Sequence, residues 1–260
     1  DNSALFAMWN QDGESSRFQL SGRLDDNNLF ASEFTYQAAL GIPAGEDAEL
    51  LGLWGTAFRA PTLSEQYSPG FGGLFAGTPT LQSESSDSLE IIYRRTLGVT
   101  GSLSISAYQT DVEQLIAFSG VDFQAVNVNR AELSGVEIEL SLNQADWQLN
   151  ANASLQDTED KSTGTSLLRR PDEKLAVTVN RAFDNGSWIA GEWFASGARL
   201  DFGGQELPGY ALFNLSAGYQ LSPAYRIELR VDNLLDTYYE PAVGFNSASR
   251  SAFISLNWSP

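Results

Sequence analysis

Polar and apolar side chains alternate along most of this chain with a period of two, the spacing of a strand rather than a helix. In SGVEIELSL, Val136, Ile138, Leu140 and Leu142 fall on one face and Glu137, Glu139 and Ser141 on the other. Trp147, Leu149, Ala151, Ala153 and Leu155 likewise oppose Gln148, Asn150, Asn152 and Ser154. Tyr225, Ile227, Leu229 and Val231 oppose Arg226, Glu228, Arg230 and Asp232. One greasy stripe and one polar stripe per strand suit a sheet standing between lipid and a wet lumen.

Segments of this kind predict about 13 strands, near residues 4–10, 15–24, 31–41, 48–58, 85–96, 101–110, 132–142, 147–156, 173–183, 187–197, 210–220, 224–232 and 248–258. Short turns (QDGE at 11–14, NQAD at 143–146, DNG at 184–186, LSPA at 221–224) interleave with long loops, the longest expected at 59–84, 111–131 and 157–172. That sorting is the signature of an outer-membrane β-barrel with short periplasmic turns. Trp147, Trp188, Trp193, Tyr210, Tyr219, Tyr225 and Trp258 near strand ends are read as interfacial girdles. An odd strand number begun in mid-pattern predicts that more of the barrel precedes residue 1. Open edges in lipid would strand backbone N–H and C=O groups at several kcal/mol each.

Composition narrows the chemistry. The 260 residues hold no Cys and no His, which removes Ser/His/Asp triads, thiol nucleophiles, Cys/His zinc sites and disulfides. A protease or lipase at the barrel rim is disfavoured on the same ground, and no enzymatic activity or cofactor is expected. The formal net charge is -18 with 15 scattered Lys and Arg, so no nucleic-acid partner is expected. No apolar run is long enough for a transmembrane helix. A soluble all-β module fits poorly with such broad apolar stripes.

Three segments carry a resemblance. GTAFRAPTLSEQY (55–67) closes a strand and opens a long loop, NVNRAELSGVEIEL (127–140) places a small residue and a Gly before a V-E alternation, and GYALFNLSAGYQLSPAYRIELRVDNLLDTYYE (209–240) forms a closing hairpin. Together they resemble the barrel of TonB-dependent outer-membrane transporters. LDDNN at 24–28, AYQTDVEQLI at 107–116 and TSLLRRPDEKL at 165–175 are most similar to the cobalamin transporters of that family. The resemblance implies that residues 1–260 are the C-terminal part of a 22-stranded transmembrane barrel, without the plug domain, in the outer membrane of a Gram-negative bacterium. It implies a cobalamin importer contacting membrane lipids and energised by a TonB-type partner. A siderophore or other metal-chelate receptor is the alternative within the family, and a passive porin the alternative outside it. The family ends on an aromatic residue, whereas Ser259 and Pro260 follow Trp258 here.

Three arginines are the candidate ligand-binding residues. Arg169 and Arg170 sit side by side before Pro171, so one of them should face the lumen, where a guanidinium donates to phosphate or amide oxygens. The resemblance favours Arg169 as the residue lining the ligand cup, with a salt bridge to Glu137 or Glu139 as the structural alternative. Arg59, before the strand-ending Pro61, should point into the polar lumen. DNLLDTYYE is expected to be structural, with Tyr238 and Tyr239 at the interface. Asp157, Glu159 and Asp160 are weighed as a Ca²⁺ site against a solvated loop, which their spacing favours.

Overall fold

A computed structural model describes residues 2–27, 31–120 and 122–259. Asn28 of LDDNN, Val121 and Pro260 lie outside the described residues. The strands are β1 (Asn2–Asp12), β2 (Arg17–Asn27), β3 (Ala31–Pro43), β4 (Ala48–Arg59), β5 (Glu84–Leu97), β6 (Gly101–Ser119), β7 (Gln124–Gln144) and β8 (Trp147–Asp160). They continue as β9 (Thr165–Ser166), β10 (Glu173–Ala182), β11 (Trp188–Ser196), β12 (Arg199–Asp201), β13 (Gln205–Leu207), β14 (Tyr210–Ser222), β15 (Tyr225–Asp232) and β16 (Ser251–Trp258). One short helix, α1 (Leu63–Tyr67), interrupts them. All but β12 and β13 form a 14-stranded sheet whose long strands neighbour one another in chain order, with β9 beside β8; β12 and β13 make a separate hairpin. Each strand read from the alternation is present.

The chain divides into two compact units, one of Asp1–Tyr93, Ser106–Val136 and Asp157–Leu167, the other of Arg94–Ile105, Glu137–Gln156 and Leu168–Pro260. In the first, Leu24 lies between Leu5 and Phe34, and Leu20 between Trp9 and Ala38, on one face. Arg17, Gln19, Ser21, Arg23 and Asp25 take the other, where Arg23 Nε holds Asp25 at 2.7 Å and Arg17 pairs with Glu49. A slip of one residue would carry those charges to the apolar side, so the register is strongly specified.

In the second unit Trp193 lies between Val177 and Phe213, and Leu229 between Ala217 and Ile254. Their opposite face carries Arg226–Glu228 and Arg230–Asp232 pairs at 2.9 and 3.2 Å. Ile254 and Leu256 are 76% and 63% exposed, as side chains facing lipid would be.

Two expectations are corrected. The loop expected at 111–131 is mostly strand, since β6 runs to Ser119 and β7 starts at Gln124. Gln114 adopts a left-handed φ of 57°, which breaks the period-two pattern and hides the strand from a periodicity count. Asn127 supports this distortion: its Nδ2 donates to the Gln114 and Gln82 carbonyls, and its Oδ1 accepts the Gln82 N–H. Val112, Ala131 and Leu167 then bury together, as do Leu81, Ile116 and Ala125.

The second correction concerns the girdle. Trp147, Tyr219, Tyr225 and Trp258 lie on the apolar face beside short turns, but Trp193 is mid-strand, and Trp188 and Tyr210 have the parity of the polar face. Trp188 lies across Gly218, where an added Cβ would stand 2.7 Å from the indole Cε2. Gly218→Ala should therefore tip the Trp188 ring at a cost of about 1 kcal/mol. A change in tryptophan fluorescence that is absent when the substitution is made in a Trp188→Phe background would show it.

Candidate functional site

Short and long connections alternate along the chain. In the first unit residues 13–16 and 44–47 turn tightly, and the long connection 60–83 begins next to Arg59. In the second, 98–100, 145–146, 183–187 and 223–224 turn tightly, and the longer connections are 168–172, which holds Arg169 and Arg170, 197–209 and 233–250.

Arg59 closes β4, and two carboxylates claim its guanidinium. Nε and Nη2 donate to Glu84 at 2.8 and 2.7 Å, and Nη1 donates to both oxygens of Glu65 at 3.0 Å. Glu65 is also half of a capping box on α1: its carboxylate accepts from the Thr62 N–H at 2.7 Å, and the Thr62 hydroxyl accepts from the Glu65 N–H. Burial opposes ionisation of Glu65, but the Arg59 guanidinium and the Thr62 donors outweigh it and hold the carboxyl below its ordinary range. Glu84 in turn accepts the Ile116 N–H of β6 at 2.6 Å. FRAPTLSE is thus a clamp tying the loop after β4 to β5 and β6. Arg59 keeps 43% of its side chain exposed.

Arg169 and Arg170 separate in role. Arg169 has a left-handed φ of 60°, its N–H donates to the Leu200 carbonyl at 2.7 Å, and its Nε donates to Asp201 Oδ1 at 2.8 Å. Its ion pair is therefore with Asp201, not with Glu137 or Glu139. The guanidinium also stands 4.5 Å from the centroid of the Phe202 ring. Arg170 is half-buried and has no side-chain hydrogen bond or ion pair among the described residues.

Asp201 is the residue that organises this end of the second unit. It is 0% exposed, and besides Arg169 it accepts the Phe202 N–H at 2.7 Å and the Val243 N–H at 2.6 Å. Burial opposes its ionisation, but these N–H donors and the charge of Arg169 prevail and keep the carboxyl below its usual range. Two residues earlier, Arg199 donates to the carbonyls of Glu240 and Pro241. The tripeptide Arg199-Leu200-Asp201 thereby binds the segment before β10 on one side and the loop after β15 on the other. Tyr210 and Tyr239 stack beside it with centroids 4.5 Å apart.

The remaining motifs are structural. Asn233, with φ 50°, exchanges hydrogen bonds with Thr237 in both directions at 2.9 Å, and Asp236 accepts the Arg250 N–H at 2.8 Å. Asp160 accepts the Ser162 N–H at 2.8 Å, and Glu159 pairs with Lys161, which also reaches Glu132 at 3.2 Å. These acidic side chains are thus engaged within the turn, and no group of three potential metal ligands occurs among the described residues.

Sequence reasoning missed Arg199, Asp201 and Val243. A signal existed in DFGG (201–204), because Asp before two glycines reads as a capped turn, and Gly203 and Gly204 do take φ of 73° and 72°. Nothing local indicated that the cap would also bind residues 32 and 42 positions away.

Comparison with known proteins agrees with this architecture. Two vitamin B12 transporters named BtuB, from Vibrio vulnificus (strain YJ016) and Vibrio cholerae serotype O1 (strain M66-2), are each 29% identical to the chain, over 93% and 99% of it. The chain spans only 39% and 42% of their lengths. The siderophore receptor PirA from Acinetobacter baumannii superposes with a TM-score of 0.81 at 16% identity, covering 99% of this chain and 45% of that one. The copper transporter OprC does so at 0.78 and 19%, covering 99% and 47%. The family model described as TonB dependent receptor-like, beta-barrel, matches residues 1–234. The chain belongs to that family, a family of outer-membrane transporters and receptors rather than enzymes, and supplies part of its barrel.

Proposed function

We propose that the protein containing this chain binds a corrinoid of the cobalamin type at the long-loop end and imports it across the outer membrane, with energy from a TonB-type partner. The observation that carries this reading is the match to vitamin B12 transporters along nearly the whole chain, loops included. Residues 1–260 act as a partial barrel domain whose apolar face meets lipid. Arg170 is the leading ligand contact because its side chain has no hydrogen-bond or ion-pair partner among the described residues. Arg169 contributes through the 42% of its side chain left open by its ion pair, and Arg59 is proposed separately as a ligand contact of the first unit, with 43% of its side chain open.

Equilibrium binding to outer membranes of cells producing the full-length protein tests the reading. Saturable, tight binding of radiolabelled cyanocobalamin is expected, with no competition from ferric catecholates or ferric citrate. Tight binding of a ferric chelate in place of cyanocobalamin would move the assignment to metal-chelate import. Passage of small solutes without saturable binding would make the protein a porin.

A further inference from the structure

The apolar face of the second unit carries almost no charge. Of the residues that the ladders of β8, β10, β11, β14, β15 and β16 place on that face, only Glu173 and Arg181 are charged. Glu173 opens β10 beside the connection 168–172, whereas Arg181 lies at the far end of the strand, one residue before its close. There it stands between Trp147 of β8 and Ile189 of β11. Its guanidinium carbon is 5.1 Å from the centroid of the Trp147 ring and 4.9 Å from that of Phe183. Nε is closed to solvent without a hydrogen-bond partner, and the side chain makes no ion pair among the described residues. Asp146 and Asp184, in the two adjoining turns, are exposed and form no ion pair with it.

A guanidinium on a lipid-facing surface is costly at the middle of the bilayer and tolerated near the headgroups. The tight turns that flank Arg181 set it near the headgroups, among aromatic side chains of the interface. Stacking on two rings offsets part of its lost hydration and fixes its plane, but it leaves the N–H donors without oxygen acceptors. At that depth the oxygens on offer are those of lipid phosphates. We infer that Arg181, held between Trp147 and Phe183, binds the phosphate of a glycerophospholipid in the leaflet on the short-turn side, the periplasmic leaflet of the outer membrane. The planar donors of a guanidinium match two phosphate oxygens at once. Trp147, Leu149 and Ile189, on the same face, offer the apolar surface that acyl chains require. A lipid held there fixes the depth at which these strands sit. The site is independent of which ligand the protein imports.

The test uses the full-length protein, purified in dodecyl maltoside and titrated with three probes. These are phosphatidylglycerol, a diacylglycerol with the same acyl chains but no phosphate, and glycerophosphate, which has no chains. Native mass spectrometry counts the molecules retained. The unsubstituted protein should retain one more phosphatidylglycerol than Arg181→Gln, whose apparent affinity at this site should fall about tenfold or more. Arg181→Lys, which keeps the charge but not the planar fork, should fall between the two. Because the side chain lies on the surface of the sheet, both variants should keep the heat-modifiable electrophoretic mobility of a folded barrel. If Arg181→Gln loses that mobility, Trp147→Leu decides instead: it removes the ring and keeps the charge, and it should also weaken phosphatidylglycerol retention. Equal retention of phosphatidylglycerol by the unsubstituted protein and the deciding variant would overturn the site. Diacylglycerol retained as well as phosphatidylglycerol would reduce it to an apolar contact. Glycerophosphate displacing phosphatidylglycerol at equal concentration would make it a site for free anions. Either of these last two results overturns the lipid assignment.

Discussion

Asp201→Ala should release three segments at once: the residues before β10, the β12–β13 hairpin and the loop after β15. The carboxylate is fully buried and takes Arg169 Nε and the N–H groups of Phe202 and Val243 at 2.6–2.8 Å. Its removal strands two backbone donors and leaves the guanidinium without its anion. Losing one partner of a buried pair costs about 3–5 kcal/mol. The exposed part of Arg169 can recruit water, so about 3 kcal/mol of local stability is the expected loss. Hydrogen exchange at Val243 and Arg169 should accelerate by about two orders of magnitude, since each 1.4 kcal/mol is a factor of ten. Unchanged protection at both amides would show that the carboxylate does not organise these loops.

The same carboxyl gives a pH signature with a definite sign. Its folded-state pKa is depressed below the ordinary value of 3.8, so its contribution is fully present above that value and is lost as pH falls through the folded pKa. The difference between the unsubstituted protein and Asp201→Ala should therefore be constant from neutral pH down to about pH 4 and shrink below it. A difference that vanished between pH 5 and 7 would point to some other group.

Gly77→Ala should disrupt the loop between β4 and β5 to a similar degree, by a purely steric route. An added Cβ would stand 2.6 Å from the Gln66 carbonyl carbon, 2.7 Å from the Tyr67 nitrogen and 2.8 Å from the Gln66 oxygen. All three are backbone atoms at the end of α1, so no side chain can swing aside. Gly77 and Thr78 also donate their N–H groups to the carbonyls of Ser68 and Glu65 at 2.9 Å, which fixes the close approach. Overpacking costs about 1–3 kcal/mol where neighbours can adjust; against backbone the upper end is expected. Limited proteolysis between residues 68 and 83 should become markedly faster, while Gly72→Ala, where nothing lies within 4 Å of the added atom, should show much less of this clash effect. Equal cleavage of both variants would mean that crowding at residue 77 does not hold the loop.

The sequence by itself determined the strands, their facing and the sorting of turns from loops. A period-two alternation is a local property, and a strand's two faces come from backbone geometry whatever its neighbours are. Ile227 and Leu229 are assigned to the apolar face by alternation alone, and they do lie across from Leu256 and Ile254. The alternation failed where Gln114 takes a left-handed conformation, because a residue outside the extended region interrupts the period of two. It failed also for Trp188 and Tyr210, whose aromatic character suggested the membrane interface while their parity placed them on the polar face.

Only the tertiary structure decided how the arginines are used. Arg59, Arg169 and Arg170 could be singled out from their motifs as candidates. What an arginine pairs with depends on carboxylates and carbonyls far away in sequence: Glu84 for Arg59, Asp201 for Arg169, and the Glu240 and Pro241 carbonyls for Arg199, which no motif picked out. Ion pairs and buried caps form between whichever loops the sheet brings together, and no spacing rule connects residue 169 to 201 or 201 to 243. The reach of a strand pattern is a few residues, whereas the reach of a buried charge is set by the fold that surrounds it.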